Sequence, residues 1–310
     1  MMSGQEARLL RSAGEDRAAR AFQPISILRR RLRGTQSLAV WRLVARSWAA
    51  MRIAEMDWMQ VEAYLARDDR AVLPIGSIEQ HACLSLATDA VLAERVAVEA
   101  AAPLGIPVFP ALPYGITPYF TAYPGTLTLA PETFAQVLRE LLEGMAGAGF
   151  RRILVVNGHG GNSPAQAACT IWAAGRPGCQ VRFHSWWNAP RTIEKVSAID
   201  PIASHASWME SFPWTRVASA ATPDGAKEMV DWPRLAVLGP RAVREGLGDG
   251  QLRRSLPTPR SRDARAVGGR RRGNPEPPRG DLGVALLQAP GFPPNPGFSR
   301  RPCNPPGALP

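Results

Sequence analysis

The chain has 310 residues, 45% of them hydrophobic, with 37 basic against 26 acidic side chains and a net charge of +11. That length is ample for a buried core, and the excess charge sits at the ends: +7 over residues 1–50 and +8 over residues 251–310, leaving −4 for the middle. A basic groove through the fold is therefore not expected, and nucleic-acid binding would be confined to the arginine-rich ends, which lack aromatics at stacking spacing.

In chain order, residues 1–50 are weakly periodic and carry Arg29, Arg30, Arg31 and Arg33. They are expected to be a disordered basic arm, or residues upstream of a natural start at Met51. From Met51 helical spacing sets in through Ile53, Met56, Met59, Val61 and Leu65. AVLPIGS (71–77) reads as a buried strand, and Thr88 or Asp89 can cap a helix running to about Ala102. PVFPAL (107–112) predicts another strand. Pro131 opens a helix striped by Phe134, Val137, Leu138, Leu141, Leu142 and Met145. ILVVN (153–157), a helix over 164–174 and the strand QVRFHSW (180–186) follow. Strand–helix alternation with apolar strands predicts an α/β fold with a largely parallel sheet, whose sites form at the carboxyl ends of the strands.

Past residue 250 the text changes. Thirteen of the last 60 residues are proline and arginines cluster at 270–272, so residues 251–310 are expected to be a disordered tail. An out-of-frame reading of a natural C-terminus would explain the break. No uninterrupted apolar run approaches the ~18 residues of a membrane span. The cysteines Cys83, Cys169, Cys179 and Cys303 show neither C-x-x-C nor disulfide-framework spacing, which points to reduced thiols and a cytoplasmic protein.

The polar motifs cluster at the predicted strand ends. In G-S-I-E-Q-H (76–81), Glu79 and His81 lie two residues apart, so an extended backbone turns both to one face. Asp89, at the start of the next helix, can return its carboxylate to that place. N-G-H-G-G-N (157–162) sets His159 in a glycine-rich turn, and H-A-S-W-M-E (205–210) adds His205 and Glu210. Imidazole and carboxylate together suit Zn, Mn or a similar divalent ion. The chain has four histidines, and His184 is the one outside these motifs, expected to be structural or part of a pocket wall. Trp186, Trp187, Trp208 and Trp214 surround the third motif, equally able to line a flat pocket or to fill the core.

Residues 51–250 resemble the creatininase family of amide hydrolases. Its E-Q-H-G-P-H-L-P-L-x-T-D, P-G-T, N-G-H-G-G-N and H-A-G-x-x-E-T motifs appear in order as EQHACLSLATD (79–89), YPGT (123–126), NGHGGN (157–162) and HASWME (205–210). The resemblance implies a three-layer α/β sandwich, often hexameric, that hydrolyses a small cyclic or linear amide. It implies metal ligands at Glu79, His81, Asp89 and His159, with Asp89 bridging two ions, a catalytic His205, and a Glu210 that orients a water or joins the metal shell. His205, titrating near neutrality, would act as general acid on the departing nitrogen. The chain departs from the pattern at Leu84, where a second His would fall, at Gly161, where creatinine hydrolases carry a glutamate ligand, and at Ser207 and Ser211. Creatinine is therefore one candidate substrate among several. Two other functions are compatible with the sequence: an interaction protein that has lost activity, and nucleic-acid binding through the arginine-rich ends.

Overall fold

The computed structural model describes residues 52–254 except 201, 222 and 224. The expected basic arm, Cys303 and the Pro/Arg-rich tail beyond residue 254 lie outside the described residues, whereas residues 251–254, expected to begin that tail, are described and Gln251 is buried.

A first helix, α1 (Trp58–Leu65), is capped by Asp57, whose carboxylate accepts from the Gln60 N–H while the Gln60 side chain accepts from Asp57 N–H. Strand β1 (Arg70–Ile75) follows, then α2 (Thr88–Ala101), α3 (Pro131–Ala148), β2 (Arg152–Asn157), α4 (Ala165–Ala174) and β3 (Gln180–Ser185). Beyond the sheet come α5 (Pro190–Ile199), the short α6 (Trp232–Ala236) and α7 (Pro240–Leu247). The strands pair in parallel in the order β1-β2-β3, with Ile75 opposite Asn157 and Asn157 opposite Ser185.

Both faces of the sheet are covered, because alternate strand residues point to opposite sides. Ala71, Leu73, Ile75, Ile153 and Val155 meet Phe134, Leu138 and Leu142 of α3 and Cys169 and Trp172 of α4. Val72, Leu154 and Val156 face the other way, onto Leu92, Val96 and Ala97 of α2. Helix, sheet and helix make the three expected layers.

Two local expectations are corrected. PVFPAL is not a regular strand: Val108 and Leu112 form isolated parallel bridges to Val72 and Ile75. Pro107 and Pro110 lack the N–H that a continuous ladder needs. Nor does Thr88 or Asp89 cap α2 with its side chain. The helix follows Ala87 without a side-chain cap, and Thr88 Oγ1 donates to the Ser85 carbonyl. The Asp89 carboxylate is engaged elsewhere.

Candidate metal centre

The parallel pairing of β1 and β2 sets their carboxyl ends side by side, and the N-terminus of α2 rests directly on both. Gly76 and Gly158 make this possible: a Cβ on Gly76 would overlap the Ala90 backbone, and one on Gly158 the Asp89 carbonyl oxygen. Glu79 and His81 then leave β1, His159 leaves β2, and Asp89 enters from α2. All are nearly inaccessible, at 1–3% exposure.

Asp89 holds the centre. Its Oδ1 lies 3.0 Å from His81 Nε2 and its Oδ2 2.9 Å from His159 Nδ1. Glu79 Oε1 is 3.4 Å from His159 Nδ1 and 3.7 Å from His205 Nδ1, and Glu210 Oε2 is 3.8 Å from His81 Nε2. Backbone carbonyls receive the far side of both buried rings: His159 Nε2–H donates to Ile116 O at 2.9 Å, and His81 Nδ1–H to Glu79 O at 3.2 Å. A ring nitrogen tied up in this way fixes the tautomer and turns the other nitrogen inward. His81 and His205 are each followed by an alanine in the left-handed region, Ala82 at φ 52° and Ala206 at φ 56°.

These donor atoms fit a cation. Glu79 Oε2, His81 Nε2 and Asp89 Oδ2 are buried without a well-directed hydrogen bond, the last two despite the 3.0 and 2.9 Å histidine–carboxylate approaches, although buried polar atoms are normally paired. Three sets of ligand atoms lie within 4.8 Å of one another: Glu79–Asp89–His159, His81–Asp89–Glu210 and Glu79–His81–His205. The first two share Asp89. Glu210 supplies the second carboxylate of the set around His81. A side chain at Gly161 is blocked, since its Cβ would overlap Ile116 O and crowd His159 Nε2.

The electrostatics follow from so many ionisable groups sharing one largely buried site. Burial opposes a charged His81 ring, but Asp89, Glu210 and Glu79 outweigh it and raise its pKa to about 10. His159 is likewise raised well above its ordinary range, burial being overcome by Glu79 and Asp89. Burial would lift Asp89, yet the two histidines hold it well below the usual carboxylate range. Glu210 is pushed up to about 7 by burial against the pull of His81. His205 goes the other way, to about 4, through burial and then the charge of His81. Without metal, His205 is therefore uncharged at neutral pH.

Above the cluster opens a cavity of about 260 Å³ whose walls include Tyr119, Phe120, Trp187, Met209 and Trp232, with Glu79, Asp89, His159, His205 and Glu210 at its base. Phe120 stacks on His205 with centroids 5.1 Å apart and planes at 23°. Of the four tryptophans expected near the site, Trp187 lines the cavity. Trp186 is buried in the core, Trp214 stacks on Phe212 beneath the Arg95 guanidinium, and Trp208 is 38% exposed. His184, next to last in β3, is half-buried and outside the cavity lining.

All six expected site residues are brought together. Sequence reasoning missed Tyr119, Phe120 and Trp232, for which no motif offered a signal, and Gln80, which stood inside a quoted motif.

The creatininase family model, described as creatinine amidohydrolase, matches residues 54–255. Creatinine amidohydrolase of Pseudomonas putida is 31% identical over 120 residues, covering 36% of this chain and 45% of its own length. The 3-dehydro-scyllo-inosose hydrolase of Thermotoga maritima is 32% identical over 107 residues, covering 34% of each protein. The chain thus spans less than half the length of either relative in these matches. A solved structure named Creatininase Mn superposes with a TM-score of 0.53 at 21% identity, covering 66% of this chain and 87% of that one, a likeness of fold. By the family match over residues 54–255, this chain belongs to the creatininase family.

Proposed function

We propose that this protein hydrolyses the C–N bond of a small amide at a divalent-metal centre. The observation that carries this is the pair of ligand sets sharing Asp89 at the base of an aromatic-walled cavity. Glu79, Asp89 and His159 would hold one ion and His81, Asp89 and Glu210 the other. The mixed nitrogen–oxygen donors suit Zn or Mn. Bound there, the metal supplies hydroxide at neutral pH and polarises a carbonyl.

The chain's own residues supply the rest. Asp89, with one oxygen toward each histidine, fixes the spacing of the two positions. Ile116 O and Glu79 O each hold one nitrogen of the His159 and His81 rings, which aims the other inward for the ion. His205 turns Nδ1 toward Glu79 and the cavity, where it can touch the reacting amide. Overall, water adds OH to the carbonyl carbon and its remaining hydrogen goes to the departing nitrogen. Tyr119, Phe120, Trp187 and Trp232 give the substrate flat apolar faces, and the titratable side chains lining the cavity include Glu79, Asp89, Glu210, His159 and His205. A planar amide suits such a lining, because its flat faces can pack on the aromatic rings.

Elemental analysis of the full chain, together with a panel of cyclic and linear amides that includes creatinine, tests the reading. About two ions per chain are expected, with Asp89→Ala losing most of both and Glu210→Gln about one. His205→Ala should keep its metal and lose about 10²–10³-fold in turnover, the scale of one lost transition-state donor. Protein that takes up neither Zn nor Mn would overturn it.

A further inference from the structure

Gln80 stands between two ligand residues without sharing their chemistry. It is buried, and its N–H donates to Thr126 Oγ1 of the YPGT segment at 3.0 Å. Its side-chain Oε1 accepts from the Ala82 N–H at 3.1 Å, and its Nε2 donates to Gly250 O at 3.1 Å. These backbone partners set the direction of the amide. Turned over, it would press an NH2 against the Ala82 N–H and an oxygen against the Gly250 carbonyl. The second amide hydrogen therefore points at His205 Nε2, 2.9 Å away.

That ring nitrogen has another neighbour, the main-chain carbonyl of Gln80, at 3.0 Å. A protonated Nε2 would suit the carbonyl but confront the amide hydrogen head-on. A bare Nε2 satisfies the amide and leaves a carbonyl short of a partner. That is the smaller loss, since orphaned buried N–H groups are rarer than underused carbonyls. At the other end of the ring, Nδ1 lies 3.7 Å from Glu79 Oε1, where an N–H is attracted and a lone pair repelled. Both ends favour the same tautomer.

We propose that Gln80 is a positioning residue that holds neutral His205 with its proton on Nδ1 and a bare Nε2. The imidazole then presents an N–H to the carbonyl oxygen of the reacting amide and cannot ligate the metal. The catalytic part of this inference rests on the hydrolytic reading above; the tautomer does not. A donor already in place where negative charge develops stabilises the transition state without reorganising. The set Glu79–His81–His205 is thereby excluded as an ion position, since a protonated Nδ1 has no lone pair to give. Gly250 belongs to the same device. It has φ 92°, and a Cβ there would overlap Gln80 Oε1, so glycine lets its carbonyl close on the amide.

Nitrogen-15 NMR of histidine-labelled, zinc-loaded full chain reads the tautomer directly, and with four histidines the His205 signals can be assigned by their loss in His205→Asn. The wild-type protein should show a protonated Nδ1 and an unprotonated Nε2. Gln80→Glu replaces the donor with an acceptor, and Gln80→Met removes it at similar length. Each should move the proton to Nε2, exchanging the two signatures, with zinc content unchanged. A protonated Nε2 in the wild type, or an Nδ1 signal displaced by zinc, overturns the proposal. So do unchanged signatures in the variants. If Gln80→Glu does not fold, the wild-type and Gln80→Met spectra decide. Should the protein hydrolyse no amide yet show the Nδ1–H form, the hydrolytic reading fails alone and the tautomer assignment is supported.

Discussion

At the level of single residues, the metal centre is a contest between protons and metal for the same nitrogens. His81 without metal has its pKa raised to about 10 by the surrounding carboxylates. Its unfolded value is about 6.5, so the proton stabilises the metal-free fold fully below about pH 6.5. That stabilisation is lost as pH rises through about 10. Metal must displace the same proton, and its affinity should therefore rise with pH across this window. Zinc should raise the melting temperature by more at about pH 9 than at about pH 6; an equal or smaller gain at the higher pH would mean that His81 is not a ligand. A second residue-scale effect is conformational. Ala82 adopts φ 52°, where its Cβ meets backbone that glycine would avoid, and Ala82→Gly should stabilise the protein by about 1 kcal/mol in denaturant titration. The roles of these residues were only partly legible in the sequence. Glu79, His81, Asp89 and His159 announced themselves because metal chemistry demands particular side chains at strand ends. Glu210 was left between two roles, since its approach to His81 depends on how a distant loop folds back. Gln80 was passed over because an amide has no chemistry of its own until its partners are known.

At the level of elements, the site depends on how closely α2 approaches the ends of β1 and β2. The strands and the helices α2, α3 and α4 were readable because their apolar periodicity is imposed by burial on both faces of the sheet. Their tight contact at one end was not readable, because it is a matter of missing atoms. Gly158 is the point of closest approach: a methyl there would overlap Asp89 O and crowd Ala93 Cβ. Gly158→Ala must push the first turn of α2 outward, and Asp89 moves with it. Overpacking of this kind costs about 1–3 kcal/mol. Thermal unfolding should show that loss, and elemental analysis a drop in bound metal beyond that of an overpacking change in the core remote from Asp89. Stability lost with metal retained would show that the ligand set tolerates a shift of α2. The irregular PVFPAL segment makes the complementary point: its apolar residues predicted burial correctly, while its prolines decided against a regular ladder.

On the scale of the whole molecule, the centre is assembled from segments as far apart as residues 79 and 251, and its last tie lies close to the end of the described chain. After α7 the backbone passes back over the third motif. Gly250 O receives the Gln80 amide, Gln251 Nε2 donates to Ala206 O at 2.7 Å, and Arg253 pairs with Asp200 at 3.0 Å. Lys227 and Arg254 exchange backbone hydrogen bonds and share Asp249, which tethers the segment on its outer side. Residues 248–254 therefore act as a strap across the loop that carries His205 and Glu210, whereas the net +8 of residues 251–310 comes mostly from arginines beyond it. Shortening the chain from its end should consequently have little effect on the metal centre until the strap is reached. A chain ending at residue 254 should bind metal as the full chain does, and should lose any salt-sensitive affinity for polyanions contributed by the later arginines. Ending at residue 247 removes the partners of Gln80, Ala206 and Asp200 together, so Glu210 should no longer be held and about one ion per chain should be lost. Equal metal content in the two shortened proteins would show that the loop is held by Thr215, Phe212 and Ser207 alone, through the bonds they make within it.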